Sequence, residues 1–385
     1  MKKQGAAFLI CALILVGMGL VCMYSASYPQ ARDFGRSPDW FLKRQAVFAL
    51  AGLVFALIIC FVPQRFLTVM SVPMLVVCAG LMGLTIFTSL GQTTLGARRW
   101  LTIGPLSLQP SELVKFASVI FLASILTADR KWPLAKRQLI AAAVCLAMGG
   151  LILLQKDYST TVVYLAVCVC ILMLSGISVP WLVLGFLFTG TGALAVMLSE
   201  PYRIKRLAAF VFPDLDPSGI NYQVNIAKKA IASGGFWGKG LGRGVYKHGI
   251  LPEVQNDFIL ANVAEELGLV GIIAVFALFT VFAVLGLRSS RKLRETEPFW
   301  SYLGFGFTTM IMLQALVNAA VVSGLFPPTG IPLPFFSQGG TNLFVVICEA
   351  AFVWRIIRID GGRSGIARDN SEWHDDTVVL PGALR

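Results

Sequence analysis

The stretch GILPEVQNDFILANVAEELG, residues 249–268, sets Glu253, Asp257, Glu265 and Glu266 against the start of a long apolar run. An acid at the centre of a membrane helix costs about 2.5–3.5 kcal/mol on insertion scales, so four of them belong at an interface or in a wet cavity. There a carboxylate could act as a general base, a metal ligand or a helix cap. Asp257 can cap a helix that starts at FILA, and Asn262-Val-Ala-Glu265 has the form of a capping box. Spacing weighs capping and catalysis equally for Asp257 and favours capping for Glu265. In a helix, Glu253 and Asp257 would share a face.

Cations and turn formers gather in four further places. GARRWLTIGPLSLQPSELVKF (96–116) supplies Arg98, Arg99 and Trp100, then a helix start with Pro110 near its first position and Glu112 and Lys115 one turn apart. The plain alternative is an interfacial anchor, because Trp and Arg favour the headgroup level. GGFWGKGLGRG (234–244) interleaves six glycines with Lys239 and Arg243, letting backbone N–H groups and cations approach a bulky anion. It lacks both GxxxxGK[ST] and a preceding strand, and taken alone the glycines are better explained as turns. LQKDYSTT (154–161) puts Lys156 and Asp157 between two spans, where a surface ion pair accounts for them. TGIPLPFFSQGGTN (329–342) is rich in Pro and Gly at membrane depth, which is tolerated only where backbone is buried in protein or lines a cavity. A pocket is the better reading.

The elements that must position these groups are membrane helices. The 385 residues are 56% hydrophobic and 14% charged, with a mean hydropathy of +0.75, far above a soluble domain. Stretches long enough to cross a bilayer fall near 6–24, 43–62, 66–88, 111–128, 138–154, 159–176, 179–199, 263–287, 300–325 and 341–357, which predicts an all-α polytopic membrane protein of about ten helices. Lys2 and Lys3 precede the first, and no small-residue cleavage site follows it, so it reads as a retained helix. The basic loops TADRKWPLAKR (127–137) and RSSRKLRE (288–295), with the basic residues after the last span, place both termini in the cytoplasm. The loops at 25–42, 89–110, 155–158, 200–262 and 326–340 then face outward.

The loop at 200–262, between helices seven and eight, is too long for a plain connector. Within it INYQVNIAKKAIASGG reads as a short amphipathic helix at the membrane surface, with Lys228 and Lys229 exposed. The membrane unit spans 1–360, and the polar segment 361–385 reads as a disordered cytoplasmic tail. A net charge of +12 would suit nucleic acid, but topology consumes most of the basic residues and no nucleic-acid module is present, so that partner is excluded. The eight cysteines all sit in apolar stretches without CxxC or matching His spacing, so they read as packing residues.

Four motifs in order resemble the SEDS family of bacterial membrane proteins (shape, elongation, division and sporulation), the group containing FtsW, RodA and SpoVE. They are Gly96, Arg99 and Trp100; Gln109-Pro110-Ser111-Glu112 with Lys115; Pro252-Glu253 with Asp257-Phe258-Ile259 and Glu265-Glu266-Leu267-Gly268; and Thr329-Gly330 through Leu333-Pro334-Phe335 to Ser337 and Gly339-Gly340. PYRIKRLAAFVFPDLDP, GINYQ and GKGLG are more similar to the FtsW division branch than to RodA. The chain departs from the pattern at Gln155-Lys156-Asp157-Tyr158-Ser159-Thr160, where the family usually has Gln-Pro-Asp-Leu-Gly-Thr. It also carries Gln255-Asn256 for His-Thr, Gln338 for Tyr, and Thr341-Asn342 for serines.

The resemblance implies a peptidoglycan glycosyltransferase that polymerises lipid II on the outer face of the bacterial cytoplasmic (inner) membrane, at the division septum. Asp257 would be the general base on the acceptor 4-hydroxyl, in an inverting displacement of polyprenyl pyrophosphate. Arg99, Lys115, Lys239 and Arg243 would bind the pyrophosphate. Glu253 and Ser337 are further substrate-binding candidates, and Trp100, Gln109, Glu112, Gly339 and Gly340 would support them. A divalent cation, Mg2+ or Mn2+, could share the work with Asp257 or Glu253 as ligand, and sequence does not separate base from ligand. The implied partners are a class B penicillin-binding transpeptidase, other divisome membrane proteins and membrane lipid. Other readings are a lipid II flippase or other transporter, a RodA-type side-wall polymerase, and a scaffold that recruits partners.

Overall fold

The computed structural model describes residues 2–94, 97–104, 106–128, 132–178 and 221–375, with positions 180, 185, 191 and 210. Its helices are α1 (Lys2–Asp33), α2 (Trp40–Ile59), α3 (Gln64–Phe87), α4 (Pro110–Thr127), α5 (Leu134–Leu154), α6 (Tyr158–Leu174), α7 (Tyr222–Gly234), α8 (Ile259–Lys292), α9 (Pro298–Val322) and α10 (Gly340–Asp375). Seven of them, α1 to α5 with α8 and α9, are long and apolar enough to cross a membrane. The helical membrane architecture expected from sequence holds. Apart from those four positions, the expected span at 179–199 and the loop that follows it as far as residue 220 lie outside the described residues.

Two departures bear on the site. First, α1 runs nine residues past the expected end at 24, to Asp33. Its polar end stays helical because it has buried partners: Ser25 Oγ donates to both Glu266 carboxylate oxygens at 2.8 and 2.7 Å. Pro29 falls in the last turns, where few helical bonds remain to be lost. Second, the stretch expected as a loop at 89–110 contains an antiparallel sheet in the order β1 (Gly91–Thr94), β2 (Ala97–Ile103), β3 (Leu106–Leu108). α10 runs to Asp375, into the segment expected as a tail.

The segment between α9 and α10, where the Pro/Gly content suggested a pocket, dips into the bundle and packs its apolar side chains there. Leu333, Phe335 and Phe336 are buried, and the two phenylalanine rings meet Phe279 and Phe282 of α8 in tilted and edge-on contacts. α1 approaches so closely that a Cβ on Gly19 would overlap the Phe335 carbonyl.

α8 is broken at Gly268 (φ 65°, ψ −164°). An unbroken helix would pair the N–H groups of Leu269 and Val270 with the carbonyls of Glu265 and Glu266. Instead the glycine run after α7 takes all four groups. Lys239 N donates to Glu265 O at 3.0 Å and Gly240 N to Glu266 O at 2.9 Å, while Leu269 N donates to Gly235 O at 3.0 Å and Val270 N to Phe236 O at 3.2 Å. Gly238 lies so near the kink that no Cβ would fit. The run 234–240 is therefore a clamp that replaces the helical bonds lost at the kink.

Candidate functional site

The turn residues 251–257 precede α8, whose N-cap is Phe258, with no side-chain cap bond. Asp257 is thus not the capping residue, and it stays half-buried at the mouth of the bundle. Its backbone is held from beneath. Asn318 Nδ2 of α9 donates to Asp257 O and to Ile331 O, both at 2.8 Å. Gln338 N donates to Gln255 O at 2.8 Å, and the Gln255 side-chain amide bonds that of Gln30 on α1. Asp257, the 329–339 loop and α1 are one locked assembly.

Arg99 reaches the same place from β2. Gln92 pairs with Trp100 and Thr93 with Arg98, so Arg99 is the extra residue of a β-bulge, a device that re-aims a side chain. Gly330, at φ 76°, lies opposite. A Cβ built there would be 3.8 Å from Asp257 Oδ2 and 3.9 Å from Arg99 Nη1. Carboxylate and guanidinium therefore flank one small space that a glycine keeps open. Asp157 is buried, accepts from Thr160 N as the α6 N-cap and sits 3.6 Å from Arg99 Nε. The surface ion pair expected at Lys156–Asp157 is instead a buried acid behind Arg99. The Arg98 side chain donates to the carbonyls of Ile86 and Thr88 at the end of α3, and its backbone N–H donates to Gln155 O at 3.2 Å, fixing the sheet.

The other candidates separate into groups. Lys115 is buried and forms a 2.7 Å pair with Glu112, which also accepts from Asn342 Nδ2 at 2.8 Å. That pair joins α4 to α10 inside the bundle, so Lys115 does not present a free cation to the Asp257 space. Lys239 Nζ is 2.7 Å from Glu265 Oε1 and remains about a third exposed. Arg243 is exposed on the same loop and makes no ion pair among the described residues. Glu253 is exposed in a left-handed conformation (φ 54°), its carboxylate bonded by the Asn256 amide. Ser337 is buried and its Oγ accepts from Leu333 N at 2.7 Å, while Gln45 bonds Ser337 O and Gly339 N. Its hydroxyl is committed to shaping the loop. Gly340 lies so tightly against Phe48 that it admits no side chain, Gln109 N donates to Thr341 Oγ1 at 3.2 Å, and Trp100 is half-buried in β2.

The glycine-rich loop does bind an anion, and the anion is internal. Val245 N and Tyr246 N donate to Glu265 at 2.7 and 3.2 Å, and Gly242 N and Gly244 N donate to Glu266 at 3.1 and 3.3 Å. Glu266 also takes Lys247 Nζ at 2.6 Å. The capping box expected at Asn262–Glu265 does not form, because Glu265 is turned to the loop. Ser25, Lys247 and Asn318 were not apparent as site residues from sequence, since each is ordinary in its local context and acts only through distant partners.

Asp257 and Glu253 are the two carboxylates that could hold a divalent cation, and no cluster of three or more His, Cys, Asp or Glu able to bind a metal occurs among the described residues. Two carboxylates suit Mg2+ held jointly with substrate phosphates, not a closed protein cage.

The family model described as Cell cycle protein, FTSW_RODA_SPOVE, matches residues 6–360. Among curated relatives, the probable peptidoglycan glycosyltransferase FtsW of Trichlorobacter lovleyi is 34% identical over 92% of this chain and 93% of its own length. Stage V sporulation protein E of Bacillus subtilis is 33% identical over 91% and 95%. A chain from a peptidoglycan synthase complex, solved for its coordination of polymerization and crosslinking, superposes with a TM-score of 0.72 at 25% identity, covering 92% of this chain and 97% of that one. The fold also matches the rod shape determining protein RodA of Thermus thermophilus, with a TM-score of 0.64, 24% identity and coverage of 91% and 95%.

Proposed function

The chain belongs to the FtsW/RodA/SpoVE family of cell cycle proteins, and from that premise we propose that it is a division-type peptidoglycan glycosyltransferase that polymerises lipid II. It is a multi-spanning membrane protein of the bacterial inner membrane. Both termini are cytoplasmic, the Asp257 end faces outward, and the site of action is the septum. A transpeptidase of the class B penicillin-binding type crosslinks the strands, in keeping with the match to a complex that couples polymerization and crosslinking.

The observation that carries this reading is that Asp257 and Arg99 both face the space beside Gly330. Asp257 accepts the proton of the acceptor sugar's 4-hydroxyl as that oxygen attacks the donor's anomeric carbon. A C–O glycosidic bond forms, the bond from that carbon to the pyrophosphate breaks, and the configuration inverts. Arg99 neutralises the departing diphosphate, for which a planar guanidinium is suited. Asp157 behind it, 3.6 Å from Nε, supplies a buried counter-charge. Lys239 and Arg243 lie on the outer loop as further contacts for the substrate's polar portion, and Glu112 with Lys115 holds α4 against α10. A divalent cation at Asp257 would supply further charge neutralisation at the diphosphate.

The competing reading is lipid II transport. Proteoliposomes with the purified chain and its transpeptidase partner, given labelled lipid II, separate the two. Polymerisation gives long glycan chains, whereas translocation without polymer would establish the transporter instead.

A further inference from the structure

At the end of the bundle opposite Asp257, a cavity of about 290 Å³ is lined by Cys60, Phe61, Trp354, Arg355, Arg358 and Ile359. It lies between the α2–α3 turn and α10. Arg355 sits 4.3 Å over the Trp300 ring, and its Nη1 donates to the carbonyls of Ile59 (2.8 Å) and Val62 (2.5 Å). Arg358, one turn on, sits 5.0 Å over Trp354, which is itself fixed by a 2.9 Å bond from its indole N–H to Gly5 O on α1.

Neither arginine pairs with a carboxylate among the described residues. The acid nearest in sequence, Asp360, is turned to α8, where it accepts from Ser289 and faces Lys292. Phe61 at the rim is 84% exposed. The Trp354 indole beside two guanidiniums is the arrangement of the membrane headgroup level, where Trp gathers, and Phe61 extends its apolar side. The rule that places basic residues in cytoplasmic loops explains that cations occur here. It does not explain a concave site, two guanidiniums set over indole rings, or the absence of a carboxylate partner among the described residues.

We propose that this cleft binds the phosphate group of an anionic phospholipid, with Arg358 and the free edge of Arg355 as donors and Phe61 packed along the acyl chains. Its volume is at the small end for ligand pockets, which suits a headgroup and excludes a whole lipid. Guanidinium is the natural partner for phosphate oxygens. The inference is independent of the role assigned to Asp257. On the orientation given above, the lipid belongs to the inner leaflet.

Native mass spectrometry of the full-length, detergent-solubilised protein titrated with phosphatidylglycerol, phosphatidylcholine or inorganic phosphate tests it. One phosphatidylglycerol is expected to be retained per chain in preference to phosphatidylcholine, and Arg358→Gln should weaken it about fivefold. Arg288→Gln, which removes an exposed cation from α8, should leave it unchanged. In wild type, bound phosphatidylglycerol should also slow maleimide labelling of Cys60, a readout that needs no variant. Equal retention of the two lipids, an equal loss in Arg288→Gln, or Cys60 labelling indifferent to lipid would overturn the site. Displacement of the lipid by inorganic phosphate would reassign it to a soluble phosphate.

Discussion

Asn318 donates through one nitrogen to the main-chain oxygens of both Asp257 and Ile331, at 2.8 Å each. The proposed base and the loop that carries Gly330 are thereby fixed to a single point on α9. Asn318→Ala strips both carbonyls of that partner, at about 1–3 kcal/mol for each group left unsatisfied. The expected result is a lower melting temperature and a fall in polymerisation rate larger than the loss of folded protein, read by thermal unfolding and lipid II turnover on the same sample.

Gly330 can be tested against a control of equal backbone strain. Gly330 and Gly35 both have positive φ, 76° and 63°, but Gly35 faces open space. Alanine at either should cost roughly 1–2 kcal/mol of stability. Only Gly330→Ala places a methyl between Asp257 and Arg99, so it alone should reduce polymerisation tenfold or more.

Glu266 and Lys247 meet with both side chains sealed from solvent. Breaking such a pair by removing one partner typically costs about 3–5 kcal/mol. Glu266→Leu should be the more damaging change, because it also strands Ser25, Gly242 N and Gly244 N. Lys247→Met leaves those bonds in place. Comparison of the two melting temperatures checks the order.

Much of this was readable beforehand. The apolar runs gave the spans, the Pro/Gly content of 329–342 gave a buried irregular segment, and Asp257 and Arg99 stood out through charge beside apolar sequence. The sheet at 91–108 was missed because its strands are short, at four, seven and three residues, and one carries a bulge, so alternation never persists long enough to register. Glu265 looked like a capping group because local spacing cannot reveal that the glycine loop twenty residues earlier folds back onto it and onto Glu266. Lys115 read as a substrate cation for the same reason: its pairing with Glu112 is visible in sequence, but its burial against α10 is not.

Glu349 on α10 is buried, and neither carboxylate oxygen has a hydrogen-bond partner among the described residues. Exchanging an unsatisfied polar group for an apolar one of similar size is neutral or stabilising. Glu349→Met should therefore hold or raise the melting temperature. Glu112→Met, which takes an acceptor from both Lys115 and Asn342, should lower it.

The most direct measurement is polymerisation of labelled lipid II by purified wild type and Asp257→Asn, each with the transpeptidase partner. Loss of the general base should slow glycan formation by about 10²–10⁴-fold at an unchanged melting temperature. Chains of normal length made at the wild-type rate by Asp257→Asn would contradict the assignment.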